Sequence, residues 1–252
     1  MPSIVELLAL AEKYEKELPP APEALIQPVG NAISGWIDHT LLKPEATAEQ
    51  IKNLCLEARK YDFATVCVNP AYVPLAAGLL RDSGVGVCSV VAFPLGANLI
   101  ASKAAETRDA INAGATEIDM VINIGAMKSA AFGLVLEEIA AVVDESHKSN
   151  VTVKVILEMV LLNRREKIIG CQLSTAAGAD FVKTSTGFAS GGATIDDVSL
   201  MRRVVGARTG VKAAGGIRSL KDARDMITAG ANRLGASAGV SIVKEALEEK
   251  GI

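Results

Sequence analysis

Four short apolar segments of this 252-residue chain contain charged residues where a buried strand should have none. The charges are Asp119 in EIDMVI, Lys154 in VKVILE, Lys183 in FVKTST and Lys212 in VKAAGG. Buried parallel strands are normally continuous apolar runs, and Lys or Asp is almost never fully buried unless it is paired. Because removing each charge from water costs several kcal/mol, these positions are candidates for chemistry as well as for buried ion pairs.

Lys183 and Lys212 lie on consecutive predicted strands and are expected to be close neighbours. Adjacent strands are about 4.8 Å apart, so two inward-pointing lysines can approach each other. Two ammonium groups about 6 Å apart repel by roughly 2.8 kcal/mol at an effective dielectric of 20. This repulsion, together with partial burial, is expected to lower the pKa of one amine of the pair from about 10.4 toward 7. A neutral lysine amine attacks carbonyl groups and forms a Schiff base.

A carboxylate beside such an amine can transfer protons, and Asp119 is the candidate for this role. The two lysines and Asp119 together indicate a covalent aldolase that needs no metal. The chain has only two histidines, His39 and His147, which disfavours a multi-histidine metal site. We therefore predict no metal and no cofactor. For Lys154, the alternative to a role in the site is a structural ion pair with Glu158.

Glycine-rich segments after the last two predicted strands indicate phosphate binding. In α/β barrels the loops after strands seven and eight often bind phosphate through backbone N–H groups. Gly215 and Gly216 follow the seventh predicted strand, and Gly235 and Ser237 end the eighth. A further cluster, GGAT at 191–194, is equally consistent with a turn that caps a helix and with a ligand site.

Eight short β-branched segments alternate with longer amphipathic segments from about residue 35 onward. Strands that alternate with helices indicate βαβ units and a parallel sheet, and eight units in about 220 residues fit a closed (β/α)₈ TIM barrel. An open doubly wound sheet is the competing topology, but its glycine-rich turn after the first strand is missing. The predicted strands are 35–40, 63–69, 85–93, 117–124, 151–158, 181–186, 210–214 and 233–237, and the predicted helices are 47–60, 71–82, 98–113, 130–148, 164–177, 194–208, 219–229 and 239–249.

The tripeptide Ala-Gly-Ala occurs three times, at 113–115, 177–179 and 229–231, each time between a predicted helix and the next strand. Glycine suits the left-handed residue that follows a helix. The repeat therefore predicts three short helix-to-strand turns, each with a glycine in the left-handed conformation.

Residues 1–30 precede the barrel and are predicted to form a helix and a proline-rich linker. Apolar residues at helical spacing occupy 4–14, and four prolines follow between 19 and 28, where a helix cannot continue. This segment is interpreted as a helix that caps the bottom of the barrel or as a subunit contact. Residues 31–252 then form one TIM-barrel catalytic domain.

The composition excludes several classes of partner. A net charge of −3 argues against a nucleic-acid or anionic-membrane protein, and 4% aromatic residues argue against base stacking. No apolar run reaches the roughly 18 residues of a membrane span, and the acidic N-terminus is unlike a signal peptide. The four cysteines form no CxxC pair, which is typical of free thiols in a reducing compartment. We therefore predict a cytoplasmic protein.

The sequence closely resembles the deoxyribose-phosphate aldolase family, from about Ile37 to Val240. The resemblance implies a class I aldolase of the TIM-barrel fold that cleaves 2-deoxy-D-ribose 5-phosphate to D-glyceraldehyde 3-phosphate and acetaldehyde without a metal. The implied partners are therefore a sugar phosphate and an aldehyde. The resemblance is also compatible with assembly into a homo-oligomer. The segments that carry the resemblance are IDHTLLKPEAT, VCVNPAYV, VVAFPLGA, EIDMVINIGA, AGADFVKTSTGF, GGAT, VKAAGGIR and RLGAS, in that order.

By position, the resemblance makes Lys183 the Schiff-base residue, Lys212 the neighbour that tunes it and Asp119 the proton donor and acceptor. Which of Lys212 and Asp119 moves which proton stays open. It further implies that Lys154 is an auxiliary charge and that Asp38 and Cys67 line the substrate end. The residues that it places near the phosphate are Gly187, Gly215, Gly216, Gly235 and Ser237.

Two positions depart from the family pattern, Met159 after Glu158 and Ala238 in the last glycine-rich loop. Three alternatives to the aldolase function are carried forward. The first is a related Schiff-base aldolase with a different substrate, the second a non-catalytic barrel that binds a sugar phosphate, and the third a barrel isomerase or synthase without a covalent step. The last two have no need of two inward lysines on adjacent strands.

Overall fold

Eight parallel strands close into a barrel in the order β1 to β8, and β8 pairs with β1. The computed structural model describes residues 2–23, 28 and 30–249. The predicted (β/α)₈ barrel is confirmed. The strands are β1 (Ile37–Leu41), β2 (Thr65–Val68), β3 (Gly86–Val91), β4 (Glu117–Val121), β5 (Thr152–Ile156), β6 (Phe181–Lys183), β7 (Gly210–Ala214) and β8 (Arg233–Ala236).

A ring of helices surrounds the barrel, with at least one helix between each strand and the next. Short 3₁₀ helices cover Gly30–Trp36, Pro70–Tyr72 and Met159–Leu161. The α-helices are α1 (Ile4–Lys16), α2 (Ala48–Tyr61), α3 (Val73–Leu80), α4 (Ile100–Asn112), α5 (Ile124–Lys128), α6 (Phe132–His147), α7 (Arg164–Ala176), α8 (Ile195–Val205), α9 (Leu220–Thr228) and α10 (Gly239–Glu248). No helix in the described part of the chain is long and apolar enough to cross a membrane.

Several strands end earlier than predicted because the following residues turn to form loops at one end of the barrel. The predicted strand 117–124 stops at Val121, and Ile124 already belongs to α5. The reason is the cap at Asn123, whose side chain accepts a hydrogen bond from the Ala126 N–H at 2.9 Å. Likewise, β6 ends at Lys183 rather than at Thr186.

The Ala-Gly-Ala repeats form the predicted helix-to-strand turns. Gly114, Gly178 and Gly230 have φ angles of 109°, 87° and 115°. These left-handed conformations disfavour residues with a Cβ. Each turn follows a helix directly and leads into the next strand, as the repeat predicts.

The N-terminal helix packs against α7. A capping box between Ser3 and Glu6 begins α1, and α7 is buried without interruption from Ile168 to Ser174 because α1 covers its outer side. Arg203 of α8 donates hydrogen bonds to the carbonyls of Leu18 and Pro19. Helix α1 therefore covers the outer side of the helix ring, and residues 21–23 lie beside the helix-to-strand turn at Gly230. Residues 24–27 and 29 of the predicted linker lie outside the described residues.

Candidate active site

The register of the sheet brings the charged strand residues into the barrel interior. Asp119 on β4 pairs directly with Lys154 on β5, and Lys183 on β6 pairs with Lys212 on β7. Arg233 on β8 is the next partner of Lys212. Paired residues on neighbouring strands point to the same face of a sheet. These five side chains therefore belong to one group.

Asp119 lies at the centre of this group and contacts three lysines. Its Oδ2 is 2.7 Å from the Nζ of Lys183 and 2.7 Å from the Nζ of Lys212. Its Oδ1 is 2.8 Å from the Nζ of Lys154. All four residues are buried, with Lys183 slightly exposed at 3%. Lys183 and Lys212 are thus close to each other, as predicted, because both contact the same carboxylate oxygen of Asp119.

Two more carboxylates complete what we call the charged cluster. Asp38 on β1 contacts Lys212 through Oδ2 and lies 2.8 Å from Arg233 through Oδ1. Glu117 contacts Lys154 and lies 3.1 Å from Arg233. In the described part of the chain the cluster thus contains four cations and three carboxylates. Its members are Asp38, Glu117, Asp119, Lys154, Lys183, Lys212 and Arg233.

The surplus of one cation matters because buried charges are costly unless they are paired. One amine of the cluster can be neutral without leaving a buried carboxylate uncompensated. The suggested ion pair between Lys154 and Glu158 does not form, because the Lys154 amine is directed at Asp119 and Glu117. Glu158 instead accepts hydrogen bonds from Thr186.

The charges of the cluster determine the directions of its pKa shifts. Burial raises the pKa of the Asp119 and Asp38 carboxyls, but the surrounding cations hold both well below their usual range. Burial lowers the pKa of the Lys154 and Lys212 amines, but the carboxylates raise both well above the ordinary value. The expected lowering of an amine pKa by lysine–lysine repulsion therefore does not apply to Lys212, which stays protonated.

Two buried cysteines adjoin Asp119. Cys67 on β2 and Cys88 on β3 are register partners, and the Cys88 thiol donates a hydrogen bond of 3.2 Å to Asp119 Oδ1. The interaction with the Cys88 side chain lowers the pKa of the Cys67 thiol, whereas burial raises the pKa of the Cys88 thiol. With Asp119 they offer three ligand atoms within 4.8 Å of one another. The Lys154 and Lys212 ammonium groups already face this carboxylate, so the surroundings do not suit a metal cation.

A cavity of about 360 Å³ adjoins the charged cluster at the carboxyl end of the barrel. Lys183 is the member of the cluster that lines it, whereas Asp38 and Lys154 lie beneath it. Its lining also includes the five residues expected near a phosphate, which are Gly187, Gly215, Gly216, Gly235 and Ser237.

Two exposed cations at the cavity, Lys43 and Arg218, were missed by sequence reasoning. Each directly extends a motif that had been singled out, Lys43 in IDHTLLK and Arg218 in GGIR. The described residues that line this cavity include no carboxylate, so these cations make the cavity electropositive. An anion would therefore be attracted to it.

The loops around the cavity are packed backbone to backbone. A Cβ on Gly192 would lie 2.3 Å from the carbonyl oxygen of Gly215, and the Ala193 N–H donates to that same oxygen at 3.0 Å. Thr194 accepts from the Asp197 N–H and caps α8. The cap interpretation of GGAT is therefore confirmed, and the glycines allow the close approach of the two loops.

The departures from the family pattern lie next to these loops. Met159 is fully buried, and its N–H donates to the Thr184 carbonyl at 2.9 Å. Ala238 precedes α10 and supplies no side-chain cap. Neither residue is among those that line the cavity.

The fold and the site define an α/β barrel with a buried lysine cluster beneath an anion-attracting cavity, an arrangement suited to covalent chemistry on phosphorylated carbonyl compounds. The chain belongs to the DeoC/LacD family of aldolases, whose sequence profile matches residues 35–249.

Individual relatives agree with this assignment. The chain is 59% identical over 215 residues to the deoxyribose-phosphate aldolase of Caldanaerobacter subterraneus subsp. tengcongensis, covering 84% of this chain and 93% of that protein. It is 59% identical over 214 residues to the deoxyribose-phosphate aldolase of Streptococcus suis, covering 85% and 96% of the two chains.

Solved structures show the same similarity in three dimensions. A protein of Coccidioides immitis, provisionally named a deoxyribose-phosphate aldolase, superposes with a TM-score of 0.90 at 42% identity, covering 97% of this chain and 98% of the other. The deoxyribose phosphate aldolase of Aeropyrum pernix, described as a unique tetramer, superposes with a TM-score of 0.79 at 34% identity, covering 96% and 97%.

Proposed function

We propose that this protein is a class I aldolase that reversibly cleaves 2-deoxy-D-ribose 5-phosphate to D-glyceraldehyde 3-phosphate and acetaldehyde. The observation that carries the proposal is the position of Lys183, which lines the cavity while its Nζ lies 2.7 Å from Asp119 Oδ2. The substrate is proposed from the relatives named deoxyribose-phosphate aldolase. The related Schiff-base aldolases with other substrates are less well supported by this similarity.

The first step is attack of the Lys183 amine on the aldehyde carbon C1 of the open-chain sugar. Addition gives a carbinolamine, and loss of its hydroxyl as water gives the iminium ion. The amine must be neutral to attack, and the surplus of one cation in the charged cluster accommodates such an amine. Lys212 and Lys154 stay protonated and compensate the buried carboxylates.

In the second step the C2–C3 bond breaks, because the iminium accepts its electron pair. The C3 hydroxyl loses its proton and becomes the aldehyde of D-glyceraldehyde 3-phosphate, and C1 and C2 remain on Lys183 as an enamine. Protonation at C2 and hydrolysis then release acetaldehyde and the free amine. We assign these proton transfers to Asp119 and Lys212 acting as a unit, since they are 2.7 Å apart and adjoin the Lys183 amine.

We assign the phosphate group of the substrate to the end of the cavity away from Lys183. Backbone N–H groups of the glycine-rich loops and the Ser237 hydroxyl are suited to bind its oxygens. Lys43 and Arg218 compensate its charge. The glycines assigned to this subsite are Gly187, Gly215, Gly216 and Gly235.

Asp38 and Lys154 are assigned a supporting role. Both are fully buried and face Asp119 and Lys212 rather than the cavity. They maintain the charge balance that keeps Asp119 ionised and Lys212 protonated. The scheme uses only side chains of the protein and water.

Incubation with 2-deoxy-D-ribose 5-phosphate tests the proposed reaction. Wild-type protein should release acetaldehyde and D-glyceraldehyde 3-phosphate in equal amounts, and Lys183→Met should release neither. Lys148→Met replaces an exposed lysine on the helix ring and should leave the rate unchanged. Binding of the sugar phosphate without products would instead support the non-catalytic barrel.

We also propose that the enzyme is cytoplasmic and assembles with copies of itself. The four cysteines are free thiols, which is typical of a reducing compartment. Support for assembly comes from the tetramer described for the Aeropyrum pernix relative. Light scattering would measure the mass in solution, and a monomer would contradict the proposed assembly.

A further inference from the structure

Glu158 is a buried carboxylate that the proposed reaction does not use. It follows β5, has a left-handed backbone with a φ of 53°, and exposes only 2% of its surface. The nearby Lys154 amine is engaged by Asp119 and Glu117 instead. A buried carboxylate is costly unless its oxygens accept hydrogen bonds. The groups that donate hydrogen bonds to Glu158 therefore indicate its role.

Both oxygens of Glu158 face Thr186. The Thr186 N–H lies 3.2 Å from Oε2 and 3.4 Å from Oε1, and the Thr186 hydroxyl donates to Oε2. The Thr186 Oγ1 in turn accepts a hydrogen bond of 3.1 Å from the Phe188 N–H. Glu158 thus orients the Thr186 hydroxyl, which then fixes the backbone two residues further along the chain.

Gly187 lies between these two anchored residues and lines the cavity. Its φ is 86°, and the space where a Cβ would be is open. The direction of its backbone N–H is therefore set by the hydrogen bonds on either side of it. An N–H that binds a phosphate must be held in place before the ligand arrives.

Lys183 is held in place by different bonds. Its carbonyl accepts from the Leu157 N–H at 3.0 Å, and the next residue, Thr184, donates its N–H to the Lys212 carbonyl at 3.1 Å. These backbone bonds do not involve the Glu158 side chain. Loss of the Glu158 carboxylate should therefore disturb the turn at 186–188 and leave the amine in position.

We propose that Glu158 is a positioning residue for the substrate phosphate, which acts through Thr186 by holding the turn at 186–188 so that Gly187 faces the phosphate. The proposal rests on the proposed function, since it requires a phosphorylated substrate. It predicts that Glu158 contributes to the preference for a phosphorylated sugar and not to the chemical step.

The test compares 2-deoxy-D-ribose 5-phosphate with 2-deoxy-D-ribose as substrates of Glu158→Gln. The glutamine amide keeps one acceptor oxygen but turns an NH₂ group toward the two donors of Thr186. KM for the phosphorylated sugar should rise about tenfold, with kcat changed by no more than about threefold. The kcat/KM for the unphosphorylated sugar should stay within about threefold of wild type.

Thr186 variants provide the matched controls. Thr186→Val removes the hydroxyl at nearly constant shape and should reproduce the loss of preference for the phosphorylated sugar. Thr186→Ser keeps a hydroxyl and should retain most of that preference. In the double variant Glu158→Gln/Thr186→Val the losses should not add, because both substitutions break one chain of hydrogen bonds. If Glu158→Gln does not fold, the valine and serine variants decide the question.

An equal loss on both sugars would overturn the proposal, as would an unchanged preference in Glu158→Gln or in Thr186→Val. Borohydride trapping of acetaldehyde on Lys183 separates this failure from a failure of the proposed function, because acetaldehyde carries no phosphate. Intact trapping with an unchanged preference refutes only the role of Glu158. Absent trapping in folded wild-type protein refutes the proposed function itself.

Discussion

Replacing Asp119 by asparagine removes the negative charge that three buried lysine amines contact. Lys183, Lys212 and Lys154 lie 2.7, 2.7 and 2.8 Å from its oxygens. At an effective dielectric of about 20, two unit charges at such a distance attract by roughly 6 kcal/mol. Desolvation offsets most of this attraction, and breaking a buried ion pair from one side typically costs about 3–5 kcal/mol. We expect Asp119→Asn to lose this amount of unfolding free energy.

Two assays measure the effect of Asp119→Asn. Urea unfolding should show the loss of stability, and the melting temperature should fall by roughly 6–20 °C, since about 1 kcal/mol shifts a domain of this size by 2–4 °C. With the proton-transferring carboxylate removed, kcat should fall by about 10²- to 10⁴-fold. Asp225→Asn breaks an exposed pair with Lys221 and should change stability by less than about 1 kcal/mol. A folded Asp119→Asn protein with kcat near wild type would show that Asp119 does not transfer protons in the reaction.

Two further perturbations test the loops and the charge balance. Gly192→Ala places a Cβ 2.3 Å from the Gly215 carbonyl oxygen, so KM for the phosphorylated sugar should rise at least about fivefold. The control Gly133→Ala meets nothing within 4 Å and should leave KM unchanged. Equal KM values in the two variants would show that the packing of Gly192 against Gly215 does not shape the cavity. The pKa values of Lys154 and Lys212 are raised in the folded protein. The contribution of these two ammonium groups to the free energy of unfolding is therefore complete below about pH 10.4 and is lost as the pH rises toward their folded pKa values. Above about pH 10.4 the unfolding free energy of Lys154→Met should therefore fall less steeply than that of wild type, by about 1.4 kcal/mol per pH unit, and parallel curves from denaturant titrations would contradict the raised pKa of Lys154.

Periodicity and turn chemistry were sufficient to predict the barrel. The alternation of β-branched and amphipathic segments predicted all eight strands, and β7 at 210–214 was predicted to the residue. The Ala-Gly-Ala repeats predicted the helix-to-strand turns. Residues 122–124 were wrongly assigned to a strand, because short apolar runs have no distinct helical or strand periodicity. The side-chain cap at Asn123 begins a helix there instead.

The site was predictable only in part. Lys183 and Lys212 are on consecutive strands, so their proximity followed from chain order. Glu117 could have been found as well, because it lies two residues before Asp119 and so on the same face of β4. The contacts of Asp38 with Lys212 and with Arg233 depend on the closure of β8 onto β1. No local pattern encodes that closure.

The pKa prediction was incomplete for a related reason. Repulsion between two lysines predicts a lowered pKa for one of them, but it leaves out the carboxylates that the closed barrel brings to the same place. At Lys212, Asp119 and Asp38 outweigh both repulsion and burial and raise the pKa. The lowered pKa predicted for one amine of the pair therefore does not apply to Lys212.

Borohydride trapping shows whether Lys183 forms a Schiff base. The wild-type protein is incubated with acetaldehyde, reduced with sodium borohydride, digested and analysed by peptide mass spectrometry. We expect an N-ethyl group on the peptide that contains Lys183, and no adduct in Lys183→Met. An ethyl group on Lys212 or Lys154, or no adduct on folded wild-type protein, would show that Lys183 is not the nucleophile.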